Sequence, residues 1–381
     1  MAGVYVHVPF CKSRCVYCGF FSTTRLALRQ RYVDAVCREW TLRRQELREP
    51  VRTLYIGGGT PSQLEPEQLR QLFGVLADST LEEVTIECNP DDVTETFARE
   101  FASMPVNRVS MGAQTFSDER LRFLHRRHTA AQVVEAVGRL RKAGIGNISI
   151  DLMYGFPEET IDEWHDDISA ALALGVEHLS AYALMSEEGT PLYEMLERGE
   201  VEEADEELSR RMYYDLKDRL AAAGYEHYEI SNFARKGFRS KHNSSYWNGT
   251  PYVGLGAGAH SFDGRRRSWN IDDVEGYVEE LRSWGDEEVR SWGDEEVRRW
   301  AEGEVLDEVS RYNELVMTAL RTREGLDLSV LTGEQRGYCL RMAKRFVDGG
   351  LLAMEDRRLR LTRDGLFVSD MIMRELMMLA I

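Results

Sequence analysis

The chain has 381 residues, 43% hydrophobic and 30% charged, and its 48 lysines and arginines against 65 aspartates and glutamates leave a formal charge of −17. That length predicts a domain of about 250 residues or more plus a smaller one, and the acidic balance excludes nucleic-acid binding through a basic face. No apolar run reaches membrane-span length, and residues 1–10 lack a secretory signal's basic start, so a cytoplasmic setting with reduced thiols is expected.

Residues 3–8 alternate apolar and polar and then meet Pro9, which predicts a strand feeding a loop. The loop carries Cys11, Cys15 and Cys18 in the spacing C-x3-C-x2-C. Helical spacing over 29–49 stops at Pro50, and Val51–Ile56 predicts a strand running into Gly57-Gly58-Gly59-Thr60-Pro61. A helix at 65–77, strand 83–88, helix 93–103, strand 106–111, helix 130–143, strand 147–153, helix 159–174, strand 177–183 and helix 203–223 follow. Alternating strands and helices imply βαβ units and a parallel sheet. Six repeats are too few for the eight-fold barrel, so an open, partial (β/α)6 parallel barrel is expected.

Beyond residue 224 the pattern breaks. Tyr225–Ile230 suggests one more strand, and 231–272, rich in glycine, serine, asparagine and aromatics, reads as ordered loops. Arg-Ser-Trp-Gly-Asp-Glu-Glu-Val occurs at 282–289 and again at 290–297, a local duplication with a period that fits neither coiled coils nor solenoids. Helices at 305–322 and 335–348, a hairpin at 351–361 and a last helix suggest a mostly helical winged-helix-like module. The expected division is a barrel over 1–225, an extension over 226–300 and the C-terminal module over 301–381.

Three thiolates on one short loop suit a 4Fe–4S cubane held by three of its irons, the fourth iron being open to an outside ligand. Zinc would want four ligands, usually two separated pairs, and Cys37, Cys88 and Cys339 are isolated. A disulfide framework does not suit so few cysteines in so long a chain. The unusual residues gather where strands end, the edge at which parallel sheets carry function. A ligand with adjacent amine and carboxylate, such as the methionine part of S-adenosylmethionine, would chelate the open iron. Gly57–Gly59 is either a turn or a place where backbone approaches that ligand. Glu87 is either a solvated carboxylate or the amine's partner. Arg126 and Asp151 are either one ion pair or contacts to a carboxylate and to ribose, and Gln114 is a further polar contact. Tyr17, between two of the cysteines, would lie beside an adenine.

Gly254-Leu-Gly-Ala-Gly-Ala259 matches a dinucleotide fingerprint but lacks the helix that the fingerprint needs, so a nicotinamide site is rejected. His242, in His-Asn-Ser-Ser-Tyr-Trp, is either an axial haem ligand or a hydrogen-bonded histidine in an aromatic loop.

Together, Tyr5-x-His-x-Pro-Phe-Cys-x3-Cys-x-Tyr-Cys-x-Phe, Gly-Gly-Gly-Thr-Pro, Glu87-x-Asn-Pro, Gly112-x-Gln-x-Phe, Leu124-x-Arg-x-His, Asp151-Leu-Met-Tyr-Gly-Phe-Pro and Gly189-Thr-Pro resemble the radical S-adenosylmethionine superfamily. Within it they resemble the oxygen-independent coproporphyrinogen III oxidase-like group. The oxidase branch has one more cysteine two residues after the third and a long N-terminal extension. Here Phe20 stands at that position and ten residues precede Cys11, which resembles the HemW-type haem-chaperone branch. Tyr228-Glu-Ile-Ser-Asn-Phe-Ala, His242-Asn-x-x-Tyr-Trp and Gly-x-Gly-x-Gly-Ala-His-Ser fit that branch as well.

The resemblance implies a 4Fe–4S cluster on Cys11, Cys15 and Cys18, S-adenosylmethionine, and haem as cargo. It assigns Tyr5, Tyr17, Gly58, Gly59, Thr60, Glu87, Gln114, Arg126, Asp151 and Met185 to S-adenosylmethionine and associates His242 with haem. The expected partner is a recipient haem protein, soluble or in the membrane, with a peripheral membrane location and a homodimer both compatible. Whether S-adenosylmethionine is cleaved stays open. The alternative is the oxidase reaction: reductive cleavage of S-adenosylmethionine, then oxidative decarboxylation of coproporphyrinogen III propionates. A purely structural iron–sulfur protein is a third reading.

Overall fold

The computed structural model describes residues 2–283 and 301–379. Six strands, β1 (Ala2–Val8), β2 (Val51–Gly58), β3 (Glu83–Cys88), β4 (Arg108–Gln114), β5 (Ile148–Tyr154) and β6 (His178–Ala183), pair in parallel in chain order. Between them run α1 (Arg29–Arg43), α2 (Pro66–Leu76), α3 (Glu95–Ala102), α4 (Asp118–Phe123), α5 (Ala130–Lys142) and α6 (Ile161–Ala173); α7 (Pro191–Glu197) and α8 (Glu206–Ala222) follow. The open (β/α)6 unit is thus the one the alternation predicts. Strands such as β1 bury Val4, Val6 and Val8 against α1 and α2 residues Val33, Val36, Leu69 and Leu72 in one core. Helices α5 and α6 each start at a capping box, Thr129 with Gln132 and Thr160 with Glu163, which fixes where they leave the preceding loop.

Residues 231–272 are not loops. They hold β8 (Asn232–Ala234), α9 (Lys241–Trp247), β9 (Tyr252–Leu255), β10 (His260–Phe262) and β11 (Arg266–Asn270), preceded by β7 (Glu226–Glu229) and followed by α10 (Val274–Ser283) and β12 (Ala301–Val305). These strands extend both edges of the sheet, in the order β12-β11-β10-β9-β1-β2-β3-β4-β5-β6-β8-β7. Strand β9 joins β1 in parallel, whereas β10 to β12 and the β8–β7 pair are antiparallel. Strands this short give no periodicity; their pairing is set by partners far away in the chain. Strand β10, not a helix, follows the glycine segment, which is packed rather than ligand-cradling: a side chain on Gly256 would collide with the Tyr32 hydroxyl. Apart from Arg282 and Ser283, the eight-residue duplication lies outside the described residues.

The C-terminal module has a core of its own, built on Tyr312, Val316, Leu326, Cys339, Phe346, Leu359 and Ile372. It comprises α11 (Glu308–Leu320), β13 (Leu326–Asp327), α12 (Gly333–Asp348), β14 (Leu352–Glu355), β15 (Arg358–Leu361), α13 (Arg363–Leu366) and α14 (Ser369–Leu376), with a three-stranded sheet as the wing. Among the described residues no helix is long and apolar enough to cross a membrane.

One buried cluster fastens the extension to the barrel. Glu39 of α1 accepts hydrogen bonds from Arg43 (2.7 Å), Asn270 (2.9 Å), the Gly256 N–H (2.8 Å) and the Tyr277 hydroxyl (2.7 Å). Arg43, also buried, donates to the Gly254 carbonyl (2.8 Å) and Ser261 (2.9 Å). Taking one partner from a buried pair strands the other, at a cost of about 3–5 kcal/mol. Arg43→Met should lower stability by that amount in urea unfolding, while Arg25→Ala, at the exposed pair with Glu275, should leave the midpoint unchanged. Equal effects from the two changes would show that the cluster is not a fastening.

Candidate functional site

The cysteine loop is fixed by its surroundings rather than by its own sequence. Its base is closed by Cys11 N–H to the Thr23 carbonyl (2.9 Å) and Thr23 N–H to the Pro9 carbonyl (2.7 Å). Its far side is pinned because the Val16 N–H reaches the Leu124 carbonyl (3.3 Å) and the Val16 carbonyl accepts from Leu192 (2.9 Å). The Val16 side chain, with Tyr17 beside it, packs on Leu124, Met153, Phe156 and Leu192. The three cysteines between these anchors are free thiols, partly exposed. Burial pushes the Cys11 and Cys18 thiols up from their ordinary value.

Among the described residues no three ligating side chains converge on a single metal ion. A cubane asks for something different, since each thiolate takes its own iron and the sulfurs stand apart. Three free thiols on one anchored loop fit that demand.

The second strand's end shapes the space next to the thiols. A methyl group on Gly59 would sit 3.0 Å from Cys11 Sγ and 2.9 Å from the Pro9 carbonyl, and Gly58 has φ +114°, where a side chain is strained and would meet the His7 ring. Thr60 Oγ1 lies 3.4 Å from Cys11 Sγ. Glu87, on β3, accepts from the Tyr55 hydroxyl (2.7 Å) and the Gly58 N–H (3.0 Å). Burial raises Glu87 to about 7, with Asp151 adding to the rise. Tyr5 lies by the same carboxylate, its hydroxyl 3.0 Å from His7 Nδ1.

Arg126 reaches the other side of the trio. Its Nη1 is 3.6 Å from Cys15 Sγ, its Nη2 donates to Asn89 and the Gly112 carbonyl at 2.7 Å each, and its Nε is buried with no partner. Tyr17 faces both Arg126 and Cys15. Gln114 ends β4 at a register shift with φ +65°, a bulge that turns its side chain toward Gly112 and Arg126. Asp151 on β5 is lifted to about 6 by burial, and Ser180 bonds to it. Met185 stands 64% exposed on the loop after β6, apart from these contacts.

His242 occupies a different position. It is 1% exposed on α9, with Nδ1 2.8 Å from Thr53 Oγ1 and Nε2 2.9 Å from the Tyr246 hydroxyl, and it stacks on Tyr55 at 5.1 Å. Glu83 holds the start of α9 by accepting from the Lys241 and His242 N–H groups at 2.8 and 2.9 Å. In this conformation both ring nitrogens are engaged, and the site presents neither to a ligand.

Sequence reasoning passed over several residues. Thr53 and Tyr55 share the inner face of β2 with Gly57, and the two-residue alternation of that strand could have flagged them. Arg108 is buried inside the sheet with Nε and Nη1 unpartnered, and its charge favours the ionised forms of Glu87 and Asp151 while opposing that of His242. Nothing local marks it, because a lone arginine opening a strand reads as surface.

Residues 5–171 match the model of the Radical SAM superfamily, and residues 306–368 match the HemN C-terminal domain. The chain is 35% identical over 327 residues to the heme chaperone HemW of Lactococcus lactis, covering 84% of this chain and 82% of that one. It is 34% identical over 384 residues to the heme chaperone HemW of Mycobacterium tuberculosis, covering 98% and 94%. Coproporphyrinogen III oxidase (HemN) from Escherichia coli superimposes with a TM-score of 0.80 at 20% identity over 98% of this chain and 89% of that one, a likeness of fold. The likeness in sequence runs almost end to end in both partners, and the protein therefore belongs to the HemW branch of the radical S-adenosylmethionine superfamily.

Proposed function

We propose that the protein is a haem chaperone on a radical S-adenosylmethionine scaffold, which binds haem and passes it to a recipient haem protein. The observation that carries the cofactor part is the anchored trio of free thiols with Gly58–Thr60, Glu87 and Arg126 around it. Cys11, Cys15 and Cys18 would hold the 4Fe–4S cluster, which when reduced would supply one electron to the sulfonium of the bound ligand. Glu87 and the glycine backbone would accept hydrogen bonds from the methionine amine, and the orphaned Nε of Arg126 is available to an anionic oxygen. Gln114, Asp151 and Tyr17 line the remaining approach, where ribose and adenine would lie. The likeness to HemW relatives supports haem as the cargo, and Phe20, in place of the oxidase branch's extra cysteine, supports transfer rather than decarboxylation. The three-part division at 225 and 300 and a cytoplasmic working place belong to the same reading.

Anaerobically prepared, cluster-loaded protein titrated with haem should give a stoichiometric Soret band and release no carbon dioxide from coproporphyrinogen III. Decarboxylation without haem binding would replace this reading with the oxidase one.

Glu87 accepts most strongly from the amine N–H groups when it is ionised, and burial holds it up at about 7. Below that value the carboxyl is protonated, so S-adenosylmethionine affinity should rise as pH increases through about 7. Glu87→Gln should flatten that rise and weaken binding by about ten- to a hundredfold, the worth of one charged hydrogen bond. Calorimetric titration on either side of that pH checks both; an unchanged pH profile in the variant would remove Glu87 from the ligand.

A further inference from the structure

A cleft of about 670 Å³ opens between the cysteine loop and the β10–β11 wall, lined by Tyr5, Phe20, Phe21, Glu87, Tyr246, Tyr252, His260 and Trp269 among others. Its volume lies inside the roughly 300–1,000 Å³ range of small-molecule sites. Phe20, 74% exposed, presents its ring to the cleft. Trp269 stands opposite His260 in the β10–β11 ladder, and the two rings stack at 5.9 Å. The walls are therefore aromatic surfaces that suit a broad, flat, apolar molecule.

The cleft contains two histidines in opposite conditions. His7 has both nitrogens engaged, with the Tyr5 hydroxyl and the Phe21 carbonyl at 3.0 Å each. His260 is exposed, and among the described residues no hydrogen bond reaches either of its ring nitrogens. Partial burial and the neighbouring Arg267 push its pKa down, which favours the neutral imidazole, the form that ligates iron.

We propose that this cleft is the haem site, with His260 as the axial ligand to the iron, Trp269 stacked on its imidazole and Phe20 against the macrocycle. The assignment rests on the haem-chaperone reading above. It differs from the expectation for His242, whose nitrogens would first have to leave Thr53 or Tyr246. Arg267 lies two residues before Trp269 on the same strand face, cation-side over Phe262. Glu302, opposite Trp269 in the β11–β12 ladder, accepts from its indole N–H at 3.3 Å.

The test uses full-length, cluster-loaded protein titrated with haemin and, separately, with iron-free protoporphyrin IX. His260→Ala and the size-matched His260→Gln should each weaken haemin binding by at least about tenfold, or 1.4 kcal/mol. Both should lose the histidine-ligated Soret signature and regain it on adding imidazole. Binding of the iron-free macrocycle should be nearly unchanged, since it uses the aromatic walls alone. His242→Ala should keep the ligated spectrum. Unaltered haemin affinity and spectrum in both His260 variants would overturn the proposal, as would equal losses for haemin and the iron-free macrocycle, which mark a structural role. Parent protein that binds no haem at all would instead sink the chaperone reading, and this assignment with it.

Discussion

The architecture depends on a carboxylate that water never reaches. Glu39 sits in the middle of α1 with four donors around it, from its own helix, from the glycine segment, from β11 and from α10. A charge in such a place is costly unless every lone pair is used. Here the surrounding donors come from three segments more than two hundred residues downstream, so the barrel's first helix and the extension cannot be satisfied separately. Tyr32 makes the same bridge, donating to the His7 carbonyl at 2.7 Å and accepting from Ala257 at 2.9 Å. With these contacts in place β9 lies along β1, and the exposed edge of the parallel sheet is covered. Strands β10 and β11 then stand beyond it as a wall facing the cysteine loop. The cleft exists because that edge is closed in this way.

The polar residues inside the rim are held by the same economy of donors. Glu87 uses Tyr55 and the backbone of Gly58, and Asp151 uses Ser180, yet both carboxyls are still raised because burial outweighs those bonds. The guanidinium of Arg108, with Nε and Nη1 unpartnered, pulls the other way. A site poised in this manner is ready to exchange a proton or an ammonium near neutral pH. It is poorly suited to stability for its own sake, which is the usual mark of a place where ligands bind.

The parts of this design legible in the sequence were those written in local chemistry. The six parallel strands are legible because strand and helix patterns alternate along the chain, and β2, β3 and β4 carry the glycine triplet, Glu87 and Gln114 at their ends. Glu87, Gln114 and Asp151 were found by position at strand ends. The extension was not legible, since β8, β9 and β10 have three or four residues each and owe their existence to β6 and β1. Arg108 and Glu39 were invisible for the same reason: their partners lie on other elements, and single charges inside a strand or helix look solvated. His242 and His260 show the limit most clearly. Both occur in aromatic, glycine-rich stretches, and only their three-dimensional neighbours show that one is bonded on both sides and the other on neither.

The C-terminal module follows a different logic, because its core is complete without the barrel. The two are joined by a backbone bridge, Ile230 N–H to the Arg321 carbonyl and Arg323 N–H to the Tyr228 carbonyl at 3.0 Å each, and by ion pairs of Arg363 with Asp218, Arg239 with Glu324 and Arg323 with Glu226. Pairs this exposed contribute little each and weaken with salt. Two features add permanence. Leu366 and Phe367 pack against the barrel core, and Arg321 donates at 2.8 Å to Glu229, a buried carboxylate that also accepts from Asn232 on the neighbouring β8 at 2.5 Å. Glu229 therefore belongs to the sheet and to the joint at once. Removing Arg321 would leave a buried charge inside the barrel's own edge, so the module and that edge must settle together even though the module's core could form alone.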